Sequence, residues 1–146
     1  MIKTIKLLSA IMVFSLLFIG CTKDKILEAA KVTIFKAALT GREEVPVNGS
    51  VAVGYTILTY NADTKSFVSV TTYTGLTPTM GHIHKAAAGT NGPVIFSFPD
   101  LFSPITYTSI QISDEQVTAL FKDSLYVNLH SATYLGGEIR GQLKKQ

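Results

Sequence analysis

Cysteine occurs once in the 146 residues, at Cys21, so no intramolecular disulfide can form. Tryptophan is absent, and with it the broadest ring for stacking on a sugar; the eight phenylalanines and six tyrosines read as core and strand residues. From Val32 onward, long stretches of 3.6-residue apolar period are missing, which leaves strands as the main elements. No Gly-x-Ser-x-Gly elbow occurs, and spacing alone assembles no Ser-His-Asp set. Glu43 and Glu44 are adjacent, so on a strand they point to opposite sides and make a poor acid–base pair for glycoside hydrolysis. Gly89-Thr90-Asn91-Gly92 lacks the lysine and the following Ser/Thr of a phosphate loop and reads as a tight connection between strands.

What is present begins with an export signal. Lys3 and Lys6 precede an apolar run from Leu7 to Ile19, interrupted only by Ser9 and Ser15 and followed by Gly20. The run is shorter than the roughly 20 apolar residues that span a bilayer as a helix. Residues 1–20 are therefore expected to be a signal peptide. Leu17-Phe18-Ile19-Gly20-Cys21 resembles the bacterial lipobox, which implies lipidation of Cys21 and a tether over residues 21–31. Acyl chains contribute about 0.8 kcal/mol per buried CH₂, so several together anchor a protein stably. The expected location is the bacterial cell envelope, at the outer membrane, with the membrane as partner through the lipid. Removing residues 1–20 leaves 11 of the 13 basic residues against 10 acidic ones, and the formal charge drops from +3 to +1. A near-neutral domain lacks the basic stripe that nucleic-acid binding requires.

About 115 residues remain at 32–146, enough for one domain with a core. They are rich in Val, Ile, Thr, Tyr and Phe. Strands are expected at Val32 to Thr40, Ser50 to Tyr60, Phe67 to Thr74, His82 to Lys85, Pro93 to Phe98, Ile105 to Ile112, Leu125 to His130 and Glu138 to Leu143. Asn61 to Lys65 has turn chemistry, and Gly75 to Gly81, with Pro78 and two glycines, reads as a loop. Ser113 with Gln116 forms a capping-box pattern ahead of Val117, Leu120 and Phe121, predicting one short helix. The fold class is all-β: an antiparallel sandwich or barrel, immunoglobulin-like or superoxide-dismutase-like, with one short helix.

Two of only three histidines occur in Gly81-His82-Ile83-His84, and the third, His130, ends Leu125 to His130. Residues i and i+2 of a strand share a face, so His82 and His84 project together. If Leu125, Val127, Leu129 and Ile83 face the core, all three histidines share a polar surface with Tyr126, Asn128, Glu138, Arg140 and Gln142. A hairpin that sets Asn128 opposite Arg140 sets His130 opposite Glu138, whose carboxylate would then orient the imidazole. Three imidazoles suit copper or zinc with an open position. His82, His84 and His130 are the candidate metal ligands, with Glu138, Arg140, Asn128 and Tyr126 as supporting or ligand-facing residues. Glu44 is a candidate partner for Arg140.

Three motifs in order carry a family resemblance. Ala38-Leu39-Thr40-Gly41-Arg42-Glu43-Glu44-Val45-Pro46-Val47 resembles the opening motif of the CHRD (chordin-type) domain. Gly81 to His84 followed by Gly89 to Val94 is similar to its central motif, and Leu125 to Tyr134 with Gly136 to Leu143 to its closing signature. The resemblance implies a β-sandwich-like domain over roughly Val32 to Leu143, of a kind found in exported bacterial and extracellular animal proteins. It supplies no settled activity and no catalytic residues. The histidine-bearing polar face itself favours a non-catalytic, lipid-anchored envelope module that binds a protein, glycan or metal there. A looser similarity to copper/zinc superoxide dismutase implies the alternative, a copper or zinc redox protein. This chain lacks that enzyme's further histidine cluster and its disulfide.

Overall fold

The computed structural model describes residues 31–146; the expected signal segment, Cys21 and all but the last residue of the tether lie outside the described residues. Strands β1 (Val32–Thr40), β2 (Val53–Asn61), β3 (Ser66–Thr74), β4 (Pro78–Lys85), β5 (Val94–Ser97) and β6 (Ile105–Thr108) precede helix α1 (Asp114–Phe121). Strands β7 (Leu125–Ser131), β8 (Ile139–Gln142) and β9 (Lys144–Lys145) follow it. The pairing order is β5-β4-β7-β8-β1-β2-β3-β6, antiparallel throughout, with β9 beside β1. The expected all-β antiparallel architecture with one short helix is thus what forms, as a single sheet curled into a half-barrel.

Local chemistry explains the elements. Between β2 and β3, the Asn61 carboxamide oxygen accepts from the backbone N–H groups of Asp63 and Thr64, an Asx turn that reverses the chain. Ser113 and Gln116 exchange both hydrogen bonds of a capping box at the start of α1, a device that contributes about 1 kcal/mol. Leu120 is fully buried and Phe121 meets Phe35 and Tyr60 edge-on, which seats the helix on the core. Complete burial of a leucine contributes about 1.5–3 kcal/mol.

The core takes alternate residues from each strand: Phe35, Ala37 and Leu39 from β1, Leu58 and Tyr60 from β2, Ile83 from β4, Leu125, Val127 and Leu129 from β7. The two ends of the sheet come together through aromatic rings, Phe96 of β5 lying 6.0 Å from Tyr107 of β6. One expectation needs correction. Pro78 to Gly81 is strand, not loop, because β4 extends back to pair with the end of β7. Pro78 lies at the first position of β4, where the missing N–H is tolerated.

Strand β7 shows what the remaining residues do. All seven of its residues are buried, on both faces. The inward face meets the apolar core. The outward face, with Tyr126, Asn128 and His130, lies beneath the segments around Glu44, around Thr90 to Gly92 and around Leu135 to Gly137. The half-barrel therefore carries a second, polar interior outside its sheet.

Candidate functional site

The three histidines meet in that polar layer. His82 Nδ1 lies 3.2 Å from His130 Nε2. One ring nitrogen from each of His82, His84 and His130 lies within 4.8 Å of the others. The cause is strand geometry. His82 and His84 share a face of β4, and β7 is the next strand, with Asn128 across from His82 and Tyr126 across from His84. His130 reaches diagonally to His82. The convergence expected from the sequence is present.

Two of the rings are oriented by backbone carbonyls. His84 Nδ1 donates to the Gly92 carbonyl at 3.0 Å, and His130 Nδ1 donates to the Leu135 carbonyl at 2.9 Å. With the proton on Nδ1, each Nε2 keeps its lone pair. His84 Nε2 is buried and has no hydrogen-bond partner. A buried acceptor without a partner costs about 1–3 kcal/mol, a cost that an ion or water bound at this atom would offset. His130 Nε2 accepts from His82 Nδ1–H.

The electrostatics favour the neutral form of His82 and His84. Burial pushes the His82 imidazole below its ordinary value of 6.5, and the neighbouring His130 and His84 push it the same way. Burial also lowers His84. The Gly92 carbonyl opposes that shift in part, while His130 and Arg140 reinforce it. Neutral imidazole is the form that ligates a metal.

A buried scaffold holds the site. Tyr126 stacks on His84 with ring centres 4.7 Å apart, and the Arg140 guanidinium lies 3.4 Å from the centre of the same Tyr126 ring. Tyr126 belongs to the strand between β4 and β8, so it joins the two side chains. Arg140 donates to Asn91 Oδ1 at 3.1 Å and to the Thr90 carbonyl at 2.6 Å. Gln142 donates to the carbonyls of Ala86 and Asp123. The loop that carries Gly92 is thereby tied to β8. Asn128 donates to Glu44, which is itself buried; burial raises the Glu44 carboxyl above its ordinary value, against the opposing pulls of the Val45 N–H, Arg140 and Asn128. Gly137, at φ +132°, lies against the Asn128–Glu44 pair, where a Cβ would come within 2.5 Å of both side chains.

Two expectations are corrected by this arrangement. Tyr126, Asn128, Glu138, Arg140 and Gln142 do face away from the apolar core, but they are buried rather than forming an exposed surface. Loops cover them, which strand alternation cannot foresee. The hairpin register is as expected, with Asn128 opposite Arg140. His130 nonetheless takes the Leu135 carbonyl, and the Glu138 carboxylate accepts from the Ser50 hydroxyl at 2.7 Å instead. Glu138 occupies a bend before β8 begins, which frees its side chain from the strand alternation. The Gly92 and Leu135 carbonyls were not foreseen, because backbone groups leave no signal in residue types.

The family model for the CHRD domain matches residues 35–143, a range that takes in β2 to β8, β1 from Phe35 onward, and all three histidines. No curated protein and no solved structure matches the chain.

Proposed function

The chain belongs to the CHRD-domain family, and from that premise we propose that it is an exported envelope module that holds a single transition-metal ion, copper or zinc, on His82, His84 and His130. One observation carries the reading: the ring nitrogens of three imidazoles converge, and two of those rings are pinned through Nδ1 so that Nε2 is offered inward. Metal-ligating histidines almost always donate their other N–H to a carbonyl or carboxylate in this way. Two nitrogens each about 2.0–2.1 Å from a tetrahedral ion stand about 3.3–3.4 Å apart. The 3.2 Å between His82 Nδ1 and His130 Nε2 fits that separation. For His82 to ligate through Nδ1, its ring proton would sit on Nε2, a change of tautomer with no net release.

The burial of Tyr126, Asn128, Arg140 and Gln142 supports a metal over a protein or glycan as the occupant of this face, since buried side chains offer a macromolecule no surface. These residues act as scaffold. His82 is only partly buried, so the site opens on its side. The Lys3 and Lys6 charges, the apolar run and Leu17 to Cys21 support lipid anchorage through Cys21, at the outer membrane. Redox turnover resembling copper/zinc superoxide dismutase is the second reading. It draws on the His-x-His strand, and the same experiment tests it.

The full chain, purified in detergent, stripped with chelator and reloaded, is expected to take up one zinc or copper per molecule. His82→Ala, His84→Ala and His130→Ala should each abolish stoichiometric uptake while far-UV circular dichroism stays unchanged. Wild-type protein that stays metal-free after reloading would end the proposal. Superoxide consumption by the copper-loaded wild type, lost in His84→Ala, would move the assignment from holding to catalysis.

A further inference from the structure

We propose that Met80 is a fourth, soft ligand and that the site is built for copper(I) in preference to zinc; this rests on reading the three imidazoles as a metal site. Met80, His82 and His84 are alternate residues of β4 and share one face. Met80 pairs directly across from His130 on β7, and opposed residues of antiparallel strands have Cα atoms about 4.5–5.5 Å apart. One residue therefore neighbours His82 along its own strand and His130 across the sheet. Those are the two rings whose nitrogens already stand at metal-ligand separation.

Core packing does not account for a methionine at this position. The inward-facing residues of β4 are Gly81 and Ile83, both buried, whereas Met80 is 42 % exposed and takes no part in the apolar core. It stands at the open side of the site, next to the partly buried His82. Its three rotatable bonds let the thioether swing over the rings without moving the backbone.

The donor set decides the metal. Imidazole serves zinc and copper alike, while a thioether selects copper(I). Carboxylates would favour harder ions. The two nearby acids are committed elsewhere, Glu44 to Asn128 and Glu138 to Ser50. Three neutral nitrogens and one neutral sulfur give a monovalent ion four soft-to-intermediate donors and no stabilising negative charge, which suits copper(I) better than a divalent ion.

The test is a pair of competition titrations on the full chain in detergent. Copper(I) is titrated anaerobically against bicinchoninate, and zinc against a chromophoric chelator, in wild type and Met80→Leu. Leucine keeps the volume at a half-exposed position, so folding is checked by the thermal midpoint. The substitution should weaken copper(I) by at least the roughly 10–100-fold that even outer partners of a metal site contribute, and change zinc by less than about threefold. X-ray absorption should show a sulfur neighbour at copper in wild type that disappears in Met80→Leu. Unchanged copper(I) affinity with no sulfur at the metal would overturn the role of Met80 and leave the histidine site standing. A wild type that binds neither ion would overturn both.

Discussion

Replacing Arg140 by methionine tests how the buried polar layer couples the fold to the site. Arg140 is 2 % exposed; its guanidinium makes two hydrogen bonds to the Thr90–Asn91 loop, lies on the Tyr126 ring and pulls electrostatically on Glu44. Hydrogen bonds from a charged donor contribute about 1.5–3 kcal/mol each, and a desolvated cation–π contact about 2 kcal/mol. Several kcal/mol of guanidinium desolvation offset this sum. Methionine removes both charged hydrogen bonds to the loop and the electrostatic pull on Glu44, so the net loss is about 3 kcal/mol. Domains of this size have about 5–15 kcal/mol in total, so Arg140→Met should unfold at a much lower urea concentration yet still fold in buffer. With m-values of about 1–3 kcal/mol per molar, the midpoint should fall by about 2 M. Arg140→Lys keeps the charge near Glu44 but loses the planar fork, and should lose about 1–3 kcal/mol, the equivalent of one charged hydrogen bond. The site should respond as well. With the loop released from β8, the Gly92 carbonyl no longer fixes His84, and the downfield Nδ1–H resonance of His84 should broaden in NMR spectra. A urea midpoint for Arg140→Met within about 1 kcal/mol of wild type would refute the argument, because it would mean the loop is held by other contacts.

Two further predictions concern the same layer. Burial raises the Glu44 carboxyl, so folding gains from this group at low pH and loses that gain as pH rises through the raised value. The thermal midpoint of Glu44→Gln should therefore improve relative to wild type between pH 4 and pH 8, and a difference that stays constant with pH would contradict the shift. Gly137→Ala should cost about 2 kcal/mol or more by urea denaturation, combining strain at φ +132° with a Cβ driven against Asn128 and Glu44. Gly136→Ala, whose added carbon meets nothing within 4 Å, should stay within about 0.5 kcal/mol of wild type.

How much of this was legible beforehand depended on whether a feature is local. The strand of residues 32–40, the Asn61 turn and the Ser113–Gln116 cap follow from side-chain chemistry within a few residues, and each forms where the sequence places it. The shared face of His82 and His84 follows from the two-residue period of a strand. The Asn128–Arg140 register followed from the hairpin, yet the partner of His130 did not, because a backbone carbonyl from Leu135 displaced the expected carboxylate. Pro78 was misplaced for a similar reason: pairing with β7 outweighs the local turn preference of glycine and proline.

The amino-acid sequence by itself determined an all-β chain with one capped helix, the family signature, and a pair of imidazoles on one face of a strand, since all of these are fixed by neighbours along the chain. Only the tertiary structure decided that β7 lies beside β4, bringing His130 to the pair, and that loops far apart in sequence roof the outer face. Long-range pairing and loop closure depend on which buried hydrogen bonds can be satisfied at once. That competition is settled in three dimensions, and it turned an expected polar surface into an enclosed layer holding three converging imidazoles.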